Sequence, residues 1–151
     1  IEGRVEGDVV HPWLDGFFVG GNATLTWSQV SLGDDNGIQT STARALQGQS
    51  PWVVNAQGGY SNVDWGTDVT MLYNVFGPRI TSVGAQGAPD VFEQPFHQLD
   101  VVVKQRLPWG LTLGVKAQNL VDLPATFTQG DVTLAEIHRG RSFSASLGYT
   151  F

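Results

Sequence analysis

The chain has 151 residues, no cysteine and a formal net charge of −6. That length suits one ordinary domain. The missing thiols exclude disulfides and thiolate metal sites, and the acidic balance argues against nucleic acid as the main partner. Charged residues make up only 15% of the chain, against 19 glycines and five tryptophans, a balance that favours strands and turns over helices. No run reaches the ~18 apolar residues of a membrane helix. A barrel strand needs no such run, because only one of its faces is apolar.

Seven segments alternate with the period of two that places successive side chains on opposite faces of a strand. The first is Ile1–Val10, with Ile1, Gly3, Val5, Gly7 and Val9 on one face. Ile1-Glu2-Gly3-Arg4 also spells the recognition sequence of a tag-removal protease, so a processing scar competes with a natural strand there. No secretory signal is legible, and the sequence opens within an alternating stretch. A fragment or processed piece of an exported protein is therefore expected. The second segment, Phe17–Ser31, sets Phe17, Val19, Gly21, Ala23, Leu25 and Trp27 against Asn22, Thr24, Thr26 and Ser28. The third, Trp52–Tyr60, sets Trp52, Val54, Ala56 and Tyr60 against Asn55 and Gln57. The fourth, Thr67–Ile80, presents Val69, Met71, Tyr73 and Val75. The fifth, His97–Arg106, sets Leu99, Val101 and Val103 against Asp100, Val102 and Lys104. The sixth, Gly110–Asn119, sets Leu111, Leu113, Val115 and Ala117 against Thr112, Lys116 and Gln118. The seventh is the tail Arg141–Phe151, with a start as early as Asp131. It places Phe143, Ala145, Leu147, Tyr149 and Phe151 opposite Ser144, Ser146, Gly148 and Thr150. No segment carries a sustained 3.6-residue apolar stripe.

The connections alternate in length. His11–Gly16, Ser61–Gly66 and Leu107–Gly110 are short; Gly33–Pro51, Thr81–Phe96 and Leu120–Gly140 are long. In an antiparallel meander, alternate connections fall at opposite ends. One end therefore has tight turns and the other long loops, the asymmetry of an outer-membrane barrel. With Phe151 in the periplasm, the long loops fall outside the cell. Trp13, Trp65 and Trp109 lie in the three short turns and are expected to form a periplasmic aromatic girdle. The bland reading of the same residues is turn-capping aromatics on a soluble barrel. Seven strands cannot close in the usual even-numbered way, so either an upward strand before Ile1 is expected or the alternation hides an eighth strand of a small closed barrel. The inward face carries many small or uncharged groups (Gly20, Asn22, Thr24, Gly59, Gly114, Ser144, Ser146) and few paired charges, which suits a wide plugged barrel better than a narrow, side-chain-filled one. Asp100, Lys104 and Lys116 are expected on that inner side.

Four pieces carry a family resemblance. They are L-Q-G-Q-S-P-W-V-V-N from Leu46 to Asn55, L-Y-N-V-F-G-P-R-I from Leu72 to Ile80, Q-N-L-V-D from Gln118 to Asp122, and the tail from Gly140. Together the chain resembles the C-terminal β-barrel portion of TonB-dependent outer-membrane receptors over nearly all of residues 1–151. The resemblance implies an all-β, antiparallel up-and-down transmembrane barrel segment, about seven strands of a 22-strand type. It implies import of a scarce nutrient (a siderophore, cobalamin, sugar or peptide) across the outer membrane of a Gram-negative bacterium, with no enzymatic step. The implied partners are outer-membrane lipid, the remaining strands and plug, the barrel-assembly machinery, and the TonB energy-coupling complex. The chain departs from the family pattern in carrying neither plug nor energy-coupling box. The resemblance also marks Phe143, Leu147, Gly148, Tyr149 and Phe151 as the signal read during barrel assembly. The competing view of those five is that they simply face lipid.

Two alternatives stand beside this reading: a complete small outer-membrane barrel with a structural or adhesion role, and a soluble β-barrel or sandwich that binds a ligand. Catalytic and cofactor chemistry finds no pattern. His11, His97 and His138 lack metal-ligand spacing, and His97 is expected at a membrane interface. Asp34-Asp35-Asn36-Gly37 is expected to be a turn and not a calcium loop. The long-loop charges Asp34, Asp35, Asp90, Glu93, Asp122, Asp131 and Glu136, with Arg44 and Arg139, are expected to form a solvated outer rim.

Overall fold

The computed structural model describes residues 1–31 and 37–150. All seven predicted segments form strands of one antiparallel sheet: β1 (Glu2–Glu6), β2 (Phe17–Leu25), β5 (Trp52–Asn62), β6 (Thr67–Phe76), β9 (Phe96–Arg106), β10 (Leu111–Gln118) and β13 (Ser142–Tyr149). They pair in chain order, with β1 and β13 at the two edges. The remaining strands are short and lie in the long connections: β3 (Val30–Ser31), β4 (Ala43–Arg44), β7 (Arg79–Ser82), β8 (Val91–Glu93), β11 (Ala125–Gln129) and β12 (Val132–Ile137).

The first predicted strand is too long. Its second half is a single helical turn, α1 (Gly7–Val10), followed by a 3-10 turn at Pro12–Leu14. A Cβ at Gly7 would lie 2.2 Å from the Leu14 carbonyl oxygen, so only glycine lets the chain fold back there. Ile1–Arg4 pairs in the sheet, with Arg4 opposite Gly20 and Gly3 opposite Gly21. The second predicted strand ends at Leu25, and β3 pairs instead with β4.

The short turns repeat one device. Gly16, Gly66 and Gly110 each take a positive φ, of 83°, 67° and 75°. The carbonyl of each accepts the N–H of a residue on the neighbouring strand's line: Ser61, Arg106 and Thr150, at 2.7, 2.7 and 2.9 Å. A Cβ at any of the three would come within 2.4–2.7 Å of that neighbour. Glycine is needed for both the left-handed backbone and the close approach.

The long connections hold a second sheet that periodicity alone did not reveal. Its order, β12-β11-β8-β7, matches the order β13-β10-β9-β6 below it. Each of these four strands stops at a break and resumes. Gly77-Pro78 ends β6, where proline has no N–H to donate to a ladder. The Gly77 N–H bonds the Trp52 carbonyl at 2.8 Å, and the Trp52 indole leaves no room for a Cβ there. Gln94-Pro95 separates β8 from β9. The tail strand likewise divides into β12 and β13 around Gly140, at φ 74°. The few buried apolar residues, Val75, Ile80, Phe96 and Ala125, gather where the two sheets meet.

Here the acidic-rim expectation fails for two of its members, while Asp131 and Glu136 are exposed as expected. Asp90 and Glu93 are buried. Asp90 accepts the Gly84 N–H at 2.7 Å. Glu93 is paired with Arg79 at 2.7 Å and Arg139 at 3.4 Å. The two guanidiniums lie 4.4 Å over the rings of Phe76 and Phe96. Loop composition reads as solvated, yet the second sheet turns these carboxylates inward. The expectations for Asp34, Asp35 and Asn36 fall outside the described residues.

Candidate membrane face and polar concave face

Register decides which side chains share a face. Val5 lies opposite Val19, Ala23 opposite Val54, and Val54 opposite Val75. Met71 lies opposite Val101, Val101 opposite Ala117, and Ala117 opposite Phe143. Apolar residues from all seven strands therefore share one continuous face. Among the described residues no second layer covers it: Phe143, Leu147 and Tyr149 are 70%, 67% and 63% exposed. Seven strands at ~4.8 Å spacing and about eight residues at ~3.3 Å rise give a face on the order of 800 Å². That exceeds the ~300–600 Å² of the largest patch on a typical monomer. At ~25 cal/mol per Å², leaving it in water forgoes roughly 20 kcal/mol, more than the ~5–15 kcal/mol that holds a whole domain together.

The two ends of this face differ. Trp13, Trp65 and Trp109 are all exposed and all lie at the short-turn end. Trp109 takes φ 63°, an uncommon conformation for a bulky residue. Phe17 and Tyr60 add a tilted ring pair at 4.8 Å on the same level. At the far end, His97 Nδ1 and the Tyr73 hydroxyl are 2.6 Å apart. Two polar groups on the apolar face thus satisfy each other at its margin.

The opposite face is polar and concave, and bounds a hollow of about 580 Å³. A ladder of amides crosses it. Asn22, Asn55, Asn74 and Gln98 are direct cross-strand neighbours on β2, β5, β6 and β9. Asn55 Nδ2 donates to Asn22 Oδ1 at 2.8 Å, and Asn74 Nδ2 to Asn55 Oδ1 at 2.5 Å. Asp100 continues the line, accepting from Gln98 at 3.1 Å and from the Asn119 backbone N–H at 3.0 Å. The sequence placed single members on this face; only register aligns them. Asn55→Ala removes two of these bonds and is expected to destabilise the folded chain by about 1–3 kcal/mol. A double-mutant cycle with Asn74→Ala measures the coupling.

The Asn119–Asp122 element closes β10 through backbone geometry. Asn119 and Asp122 both take positive φ, of 55° and 50°, which asparagine and aspartate tolerate better than most residues. Asn119 Nδ2 donates to the Gly140 carbonyl at 2.8 Å, tying this corner to the start of the last strand.

β13 places Phe143, Leu147 and Tyr149 on the apolar face, opposite Ala117, Leu113 and Leu111; Gly148 lies on the other face, opposite Thr112. Phe151 falls outside the described residues. Near the first edge, Arg4 lies 4.4 Å over the Phe18 ring, and that ring packs on Gly59. These geometries define a single-layer antiparallel sheet with one apolar and one polar face, joined to a small sheet at one end. Comparison with protein-family models, curated proteins and solved structures finds no match.

Proposed function

We propose that this chain is the C-terminal barrel portion of a TonB-dependent outer-membrane receptor that imports a scarce nutrient of the siderophore, cobalamin, sugar or peptide class. The continuous, uncovered apolar face carries the reading. Its physics calls for hydrocarbon, and its longest strands have 10 and 11 residues, within the ~9–11 needed to cross a bilayer. The exposed tryptophans at the short-turn end support an interfacial girdle. The polar face would then look toward a plug and a water-filled lumen.

Strand direction favours a larger barrel over a complete small one. Each neighbouring pair is antiparallel, so β1 and β13, six steps apart, run the same way. Antiparallel closure therefore requires an odd number of further strands. In lipid, both edges must be paired, because each unsatisfied backbone group there costs several kcal/mol. On this reading β13 also presents Phe143, Leu147 and Tyr149 to the assembly machinery while its open edge adds a strand.

The test has two parts. The chain should enter phospholipid vesicles with Trp13, Trp65 and Trp109 quenched by lipids brominated near the headgroup more than by lipids brominated near the chain end. In cells, deleting Ser142–Tyr149 from the polypeptide that contains this chain should abolish proton-motive-force-dependent uptake of one nutrient from a panel covering the four classes. Cooperative folding to a monomer in water, without lipid or detergent, would remove the membrane reading. Vesicle insertion with unchanged uptake of all four classes would remove the receptor reading and leave a structural barrel.

A further inference from the structure

We infer that the cavity at the long-connection end binds a small organic carboxylate with a planar apolar body. The cavity measures about 450 Å³, within the usual range for small-molecule sites. Its walls come from separate parts of the chain, among them Trp27 after β2, Arg44 on β4, Arg79 and Ile80 on β7, and Phe92 on β8. Two cations and no carboxylate line it among the described residues, in a chain with only 8 basic residues against 14 acidic ones.

The two arginines are not equivalent. Arg79 is held by Glu93 at 2.7 Å. Arg44 donates from Nη2 to Gln39 Oε1 at 3.3 Å and takes part in no ion pair among the described residues. Its Nε is shielded from solvent and has no hydrogen-bond acceptor among the described residues. A shielded donor on a cation is costly to leave unpaired, and an anion supplies the acceptor it lacks. Glu93 serves both Arg79 and Arg139, so that trio keeps a net positive charge and adds to the attraction. Trp27, at 92% exposed, stands at the rim with its ring free to stack, and Ile80 and Phe92 provide an apolar floor. A carboxylate with a flat, apolar body satisfies Arg44, Trp27 and the floor together. This site does not rest on the membrane reading, because it lies in the long connections, away from the uncovered face.

Calorimetric titration of the full polypeptide that contains this chain, folded in detergent, tests the inference with three probes: 2-naphthoate, its neutral analogue 2-naphthamide, and octanoate. Saturable one-to-one binding of 2-naphthoate is expected, with the amide at least tenfold weaker. Arg44→Gln should weaken 2-naphthoate about ten- to hundredfold, the loss of a charge-assisted bond. Trp27→Leu should weaken it severalfold. The amide comparison uses the unaltered chain, so a folding defect in a variant does not blunt the test. Absence of saturable binding, equal binding of acid and amide, or unchanged affinity in Arg44→Gln would overturn the proposal. Tighter binding of octanoate would also overturn it, by assigning the cavity to an acyl chain.

Discussion

Val101→Arg should shift the folding equilibrium into lipid vesicles by about 2–4 kcal/mol toward the unfolded chain, the penalty for arginine near a bilayer midplane. Val101 lies halfway along β9, between Met71 on β6 and Ala117 on β10, at the centre of the apolar face. Leu72→Arg is the matched control. Leu72 lies one residue from Met71 but on the polar face, directly opposite Asp100. An arginine there faces a carboxylate across the strands, an arrangement that contributes ~0.2–1 kcal/mol. Both substitutions replace an aliphatic residue by the same cation, so hydropathy predicts equal harm. Urea titrations in vesicles, followed by tryptophan emission, should instead separate them by roughly 2 kcal/mol or more. Equal effects would mean that neither face meets hydrocarbon. A Val101→Arg chain that became more soluble and stayed folded in water would place the apolar face in an aqueous assembly.

Glu93→Ala should loosen the second sheet while leaving the large one paired. The Glu93 side chain is 4% exposed and is the shared counterion of Arg79 and Arg139. Removing one member of a buried pair costs ~3–5 kcal/mol when the stranded charge stays buried. Arg79 and Arg139 are one third and one half exposed and can recover water, so about 2–3 kcal/mol is expected here. Hydrogen exchange should locate the effect. Protection should fall at Val91–Glu93 and Ala125–Gln129 and persist at Trp52–Asn62. Glu93→Gln keeps an acceptor for the Arg79 Nε–H and should cost about half as much. Loss of protection throughout β5 would show that the second sheet is required for the first.

Much of the large sheet was legible because strand period is a local property. Phe17, Val19, Ala23 and Leu25 alternate with polar or small partners whatever their surroundings, and Ser61–Gly66 is too short to be anything but a turn. The errors share a cause. α1 continued an alternating pattern in Val5, Gly7 and Val9, yet Gly7 packs against the Leu14 carbonyl and turns the chain. The strand expected over Thr67–Ile80 breaks at Gly77-Pro78, between β6 and β7, where proline has no N–H to give the ladder. The cavity around Arg44 left no sequence signal, because its walls come from positions 27, 44, 79 and 92, which only folding brings together.

By itself the sequence determined the two-faced strands, their antiparallel order and the sorting of short and long connections, since each depends on neighbours within a few residues. Tertiary structure alone decided the register. A one-residue slip would have moved every side chain to the other face, so the amide line from Asn22 to Gln98 and the unbroken apolar face exist only once the strands are aligned. It also decided that Glu93 is a buried counterion and not a solvated rim charge. A carboxylate's environment is set by what packs around it, and Arg79 and Arg139 reach Glu93 from 14 and 46 residues away.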